Sequence, residues 1–292
     1  MNPLASELND IDSRKRARIL TEVKIPLIAF FAATAIHAAT ITEKDIAYYP
    51  EAALKEADDY QKSRCRLDLR HPEGKTGFAT LIWFHGGGLT AGQRAFPKIN
   101  DPNITVVAAG YRLSPKAKLP EFIEDAAAAA AWTFKNIASY GGDPEKVFIA
   151  GHSTGGYLAL MVGMDPRYLA PHGISNQAFA GLIPVSAQVT THFHVKKLLG
   201  NKNDPLVPTI DEYAPLHFVS KKLPPICVIT GDRKIEFMSR VEENDLFAVT
   251  LKNLGHAYVE FHEMPAVNHG QVGNASAKLI ANFIRHASGE KE

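Results

Sequence analysis

The sequence predicts an α/β protein with a mainly parallel central sheet and helices on both faces. Three observations predict it. Runs that are apolar at nearly every position (78–84, 104–109, 147–150, 179–185 and 225–230) read as strands buried on both faces. Helix-forming stretches at 119–140, 238–254 and 275–286 are interleaved with them, as right-handed β–α–β crossovers require. Between them, Val147 to Leu160 passes from an apolar strand through Gly151-His152-Ser153-Thr154-Gly155 into a helical run. That is the strand–turn–helix setting of a nucleophile elbow.

At 292 residues the chain can bury one large core, and no internal repeat or low-complexity linker divides it. Lys plus Arg (32) nearly balance Asp plus Glu (31), so nothing electrostatic calls for a nucleic-acid partner. The first forty residues stand apart. Arg14-Lys15-Arg16-Ala17-Arg18 and Lys24 precede an uncharged run from Ile25 to Ile36 and the small residues Ala38-Ala39. A basic flank, a short apolar run and small residues read as a secretory signal or N-terminal anchor over 1–40. The run is too short for a confident membrane span, and no other stable span is expected. Export implies a periplasmic or secreted protein; a cytoplasmic one follows if the segment is no signal. A single catalytic domain then fills 41–292.

Within it, 43–60 reads as a polar arm carrying Tyr48-Tyr49-Pro50. Alternation over 65–69 suggests an outer, half-exposed strand, and 71–77 a loop. The strand at 78–84 delivers His85-Gly86-Gly87-Gly88. The helix over 119–140 has an alanine-rich centre at 126–131, which favours helix and close approach to a sheet. Gly141-Gly142-Asp143-Pro144 ends it. The polar stretch 187–222 exceeds what a crossover needs and reads as a small lid or one pocket wall. Gly255 stops the helix at 238–254, the last strand covers 258–263, and an amphipathic helix over 275–286 closes the chain. Cys65 and Cys227, both placed in strands, read as buried free thiols, and no metal-type Cys/His spacing occurs. No metal or organic cofactor is expected.

Ligands of open α/β sheets sit beyond the C-terminal strand ends. There, Ser153 at the elbow is the candidate nucleophile. The glycines of the HGGG run can turn their N–H groups toward a developing oxyanion, so Gly87 and Gly88 are assigned with Thr154, and Gly86 as alternate to one of the first two. A hydroxyl needs a base. Among twelve histidines, His269 follows the last strand and precedes the last helix, on a loop at the active edge. His192, His194 and His217 fall in the polar insertion as pocket-lining or solvated groups, and His256 and His262 look peripheral. His85 and His152 lie too close to the oxyanion loop and the elbow to serve as base. The imidazole needs an orienting carboxylate from the segment Gly231-Asp232-Arg233-Lys234-Ile235-Glu236-Phe237. Glu236 can reach back; Asp232 comes directly off the strand and is the alternative, or caps the turn.

HGGG at 85–88, YRLSP at 111–115, GGDPEKV at 141–147, GHSTGG at 151–156 and NHG at 268–270 occur in family order. Together they resemble the α/β-hydrolases of the hormone-sensitive-lipase-like and bacterial feruloyl-esterase-like branch, over roughly 60–288. The resemblance implies the α/β-hydrolase fold, a Ser–acid–His hydrolase in that chain order, and an ester substrate that is small or carbohydrate-linked. Where those families carry the acid this chain has Lys234, so the acid is displaced, and Glu236 leads. A weaker similarity to kynurenine-formamidase-like members, through the His-Gly-Gly loop and the Glu-Phe pair, keeps an amidase open. A non-catalytic binding domain that retains the fold is the third reading; it requires that neither carboxylate reach His269.

Overall fold

The structure, a computed structural model, describes residues 39–289. The proposed signal or anchor over 1–40 lies almost wholly outside the described residues. Among the described residues no helix is long and apolar enough to cross a membrane.

In chain order the elements are β1 (Thr40–Ala47), α1 (Glu51–Glu56), α2 (Asp59–Arg64), β2 (Arg66–Pro72), β3 (Phe78–Phe84), β4 (Ile104–Ala109), α3 (Glu121–Asn136), β5 (Gly142–His152), α4 (Thr154–Met164) and α5 (Pro166–Leu169). They continue with β6 (Gly181–Val185), α6 (Phe193–Leu198), β7 (Ile226–Thr230), α7 (Arg240–Asn253), β8 (Val259–Glu263), α8 (His269–Ala275) and α9 (Ala277–Ala287). The eight strands form one sheet in the order β1-β2-β4-β3-β5-β6-β7-β8. Strands β3 to β8 run parallel; near one edge β2 pairs antiparallel with both β1 and β4. This is the predicted α/β-hydrolase architecture.

The inner strands β3, β4, β6 and β7 and the second half of β5 are buried on both faces, and each face of the sheet has its own core. Ile82, Phe84, Val107 and Ile149 pack with residues of α3, α4 and α7, including Phe122, Leu158 and Phe247. Their neighbours Leu81, Trp83, Val106 and Phe148 pack on the other side with Ile280, Phe283 and Ile284 of α9. That alternation follows from the two-residue period of a strand. The buried alanines at 126–131 let α3 lie close to the sheet and α4.

Several expectations are corrected. The arm at 43–60 holds an edge strand and two short helices: β1 is exposed along most of its length, so no apolar alternation announced it. The arm is nonetheless anchored, with Tyr48 buried and donating to the Gly110 carbonyl, and Tyr49 donating to Asp125. Cys65 caps α2 rather than sitting in a strand; both thiols are buried and free, as expected. The closing helix forms as expected, as α9, but a further helix, α8, precedes it across Ser276, so His269 is the first residue of α8 rather than part of a loop. Asn268 caps that helix in a reciprocal pair with Gln271.

Candidate active site

The elbow is fixed by steric exclusion. Ser153 sits at φ +55°, ψ −118°, outside the comfortable regions for a side-chain-bearing residue. Its N–H donates to the Val185 carbonyl at 2.8 Å, which ties the turn to β6. The flanking glycines leave no room for a methyl group. A Cβ on Gly151 would lie 2.3 Å from the Gly155 carbonyl carbon, and one on Gly155 only 2.0 Å from the Phe84 carbonyl oxygen. The chain therefore turns tightly enough for α4 to start directly behind the hydroxyl.

Across the gap, His269 Nε2 lies 2.9 Å from Ser153 Oγ. Its Nδ1 lies 2.5 Å from Glu236 Oε1. A carboxylate can only accept, so Nδ1 carries the proton and Nε2 is left to accept from the serine hydroxyl. Glu236 is buried and held from several sides. Its Oε1 also accepts from the Phe237 N–H (2.7 Å), while Oε2 accepts from Ser186 Oγ (2.8 Å) and the Gly231 N–H (3.0 Å). Burial alone pushes this carboxyl up, but the bonds from His269, the Phe237 N–H and Ser186 outweigh it and bring it down to about 2.

Asp232, the alternative acid, does not reach His269. Its oxygens accept from the Lys234 and Ala266 N–H groups, and these bonds hold its carboxyl below the ordinary value. It pins the turn, and Glu236 is the carboxylate on the imidazole. Ser186 had been missed; its signal was its place just past the C-terminal end of β6, the edge where ligands gather. It is buried at φ +45° and its N–H donates to the Ile229 carbonyl.

The HGGG run, the candidate oxyanion loop, follows β3. Gly87 and Gly88 have φ of +123° and +64°, conformations open mainly to glycine. Among the described residues, the N–H groups of Gly86, Gly87, Gly88 and Thr154 donate to no protein oxygen. Gly86 packs instead on the elbow: a Cβ there would lie 3.1 Å from the His152 carbonyl oxygen. The loop is braced from behind. Tyr111, from the YRLSP motif, stacks on His85 at 4.4 Å and donates to its carbonyl at 2.8 Å. The Arg64 guanidinium donates to the Gly92 carbonyl. Arg112 of the same motif forms an ion pair with buried Asp125.

Two histidines near the triad take structural places. His152 Nε2 lies 2.8 Å from the His269 carbonyl oxygen, and the two rings are 4.9 Å apart. Burial and the neighbouring imidazole push His152 down to about 4, so it stays neutral and donates to that carbonyl. His192 is fully buried, not solvated: its Nδ1 accepts from the His194 N–H, leaving Nε2 to donate to Thr154 Oγ1 at 3.2 Å. It steadies the first residue of α4. At the far sheet edge, cross-strand register brings Cys227, Glu260 and His262 within 4.8 Å of one another, a grouping that sequence spacing could not show. Glu260 there is engaged by His262 and Tyr258, so the trio reads as a hydrogen-bonded edge cluster.

A family described as alpha/beta hydrolase fold matches residues 81–272. Among curated proteins, esterase LipC of Mycobacterium tuberculosis is 26% identical over 64% of this chain and 50% of its own length. The probable carboxylic ester hydrolase LipM of the same organism is 27% identical over 74% of this chain and 56% of its own. The chain thus spans about half the length of these relatives. Among solved structures, a truncated carbohydrate esterase from gut microbiota superposes with TM-score 0.68 at 20% identity, covering 87% of this chain and 98% of that one. Esterase B from Lactobacillus rhamnosis gives 0.66 at 20% identity, over 86% and 88%. At that identity the two structures speak for the fold.

Proposed function

This chain belongs to the alpha/beta-hydrolase-fold family, and from that premise we propose that it is a serine carboxylic-ester hydrolase working through an acyl-enzyme. The observation that carries the reading is the continuous chain Glu236–His269–Ser153, with bonds of 2.5 and 2.9 Å, and it is supported by N–H groups of Gly87, Gly88 and Thr154 that donate to no protein oxygen. The esterases among its relatives point the same way.

Ser153 Oγ attacks the ester carbonyl carbon as its proton passes to His269 Nε2. The new imidazolium is balanced by Glu236, which is already ionised and needs no reorganisation. The tetrahedral oxygen takes hydrogen bonds from the oxyanion loop and from the first N–H of α4. The carbon–oxygen bond to the alcohol then breaks and Nε2 returns the proton to the leaving oxygen. Water repeats the sequence on the acyl-enzyme and frees Ser153. The substrates are small or carbohydrate-linked esters, and residues 1–40 export the enzyme from the cytoplasm.

Incubation with a fluorophosphonate probe tests this reading. Labelling mapped to Ser153, and lost in Ser153→Ala, is expected; a folded protein that takes no label there would overturn it. Turnover of an N-formyl aromatic amine above that of a short aryl ester would move the reading to an amidase.

A further inference from the structure

Beside the triad lies a cavity of about 100 Å³ lined by Gln188, Phe193, Leu206, Phe237, Arg240 and Glu243, among others. Its walls touch the machinery on two sides. The Phe193 ring lies 3.4 Å from where a Cβ of Gly88 would be, and the Phe237 ring is 5.8 Å from that of His269. Through these two rings the cavity borders both the glycine loop and the base, so a substituent of a bound ester can extend into it.

Its lining is mostly apolar. Gln188 is satisfied within the protein, donating to Thr190 Oγ1 and accepting from the Phe193 N–H, and Ser239 is exposed, so the incomplete polar groups are Arg240 and Glu243. Arg240 is 4% exposed, yet its Nε and Nη1 are buried without a hydrogen-bond partner, and among the described residues it forms no ion pair. Glu243, one turn along α7, is in the same state: Oε1 accepts from Thr190, and Oε2 is buried with no partner. A buried polar group left unpaired typically costs about 1–3 kcal/mol, more if charged, so two such groups side by side call for a ligand. Arg240 supplies only donors and Glu243 only acceptors. An anionic ligand would satisfy the first and be repelled by the second. A neutral hydroxyl satisfies both, accepting from the guanidinium and donating to the carboxylate. The face of Phe237, under the guanidinium at 5.6 Å, adds an apolar surface for the carbon that bears it.

We propose that Arg240 and Glu243 form a hydroxyl-recognition subsite, so that this hydrolase selects esters carrying a free hydroxyl next to the scissile group. The subsite rests on the hydrolase reading but fails separately from it. The small volume suits a short hydroxylated unit, such as the edge of a sugar or a glycerol, rather than a long acyl chain. The hydroxyl can come from the alcohol or the acyl half, and both present the same chemistry.

The test compares kcat/KM for ethyl butyrate, glyceryl monobutyrate, ethyl 3-hydroxybutyrate and monoethyl succinate, in wild type, Arg240→Met and Glu243→Gln. One of the two hydroxylated esters is expected to exceed ethyl butyrate by about tenfold or more, the size of a lost hydrogen bond to a charged group. Which of them does so tells the alcohol side from the acyl side. Each variant should bring that ratio close to one. Both rates come from the same sample, so the ratio does not depend on how much of a variant is folded. Equal rates on hydroxylated and plain esters in wild type, or variants that lower all rates in proportion, would overturn the subsite while leaving the hydrolase standing. A preference for the succinate monoester that grows in Glu243→Gln would overturn it in favour of an anion site. No turnover of any ester would bring down both readings.

Discussion

Glu236 and Glu243 are separated by one short segment, Glu236 holding the imidazole and Glu243 lining the neighbouring cavity, yet their surroundings are opposite. Glu236 has both oxygens engaged, by His269 and the Phe237 N–H on one, by Ser186 and the Gly231 N–H on the other. Glu243 has one bond to Thr190 and a second oxygen with none. The difference separates two uses of a buried carboxylate. One is saturated by the protein and so is fixed before substrate arrives; its neighbour is left incomplete, so that something else can complete it. Preorganisation and recognition are thus told apart by counting partners.

The sharpest way to break this contrast is to remove what Glu236 ultimately serves. Ser153→Ala should lower kcat on a p-nitrophenyl ester by about a million-fold, as loss of the nucleophile does in serine hydrolases. Glu236→Gln comes next. It keeps the shape but gives His269 Nδ1 an amide in place of a charge, and kcat should fall by about 10³–10⁴. An intact rate in that variant would place the orienting charge elsewhere. Ser186→Ala removes one of the bonds that saturate Glu236. With a hydrogen bond to a charged group worth about 1.5–3 kcal/mol, a loss of about ten- to a hundredfold in kcat with little change in KM is expected. Asp232→Asn should change kcat by no more than about twofold, since Asp232 makes no bond to the imidazole and the asparagine oxygen can still accept from the N–H groups that it holds.

Acid stability sharpens the same contrast. The Glu236 carboxyl sits at about 2 in the folded chain against an ordinary 4.5, so folding favours its ionised form. A lowered folded value means that its contribution is fully present above 4.5 and is lost as pH falls toward 2. Thermal midpoints measured across that window should fall less steeply for Glu236→Gln than for wild type. Parallel curves would mean that the network does not hold the charge as described.

Much of the sheet was legible because strands buried on both faces must be apolar at every position, as 78–84 and 104–109 are. Edge strand β1 obeys no such demand: Thr40 to Asp45 are exposed, and without an apolar face to bury, the chain wrote no pattern. The elbow, HGGG run and His269 were legible because their chemistry needs particular residues at strand ends. The choice between Glu236 and Asp232 was not, since it depends on how far the turn after β7 carries each side chain. Ser186, Arg240 and the buried state of His192 escaped for a related reason. Their significance lies in partners found, or not found, across the fold: Ser186 and Glu236 are 50 positions apart in sequence, and Thr154 and His192 are 38 apart.

The close approach of Gly155 to the Phe84 carbonyl has a consequence for how such a protein can diversify. At that point the strand that leads into the HGGG run and the helix that follows Ser153 meet with no methyl group's clearance between them. A saturation-mutagenesis library should therefore show an almost empty column at Gly155, alanine included. Survivors with altered selectivity should cluster in the walls around Phe193, Leu206, Phe237 and Glu243. Heritable novelty in this scaffold would then come from redecorating its rim, around a pivot that cannot drift.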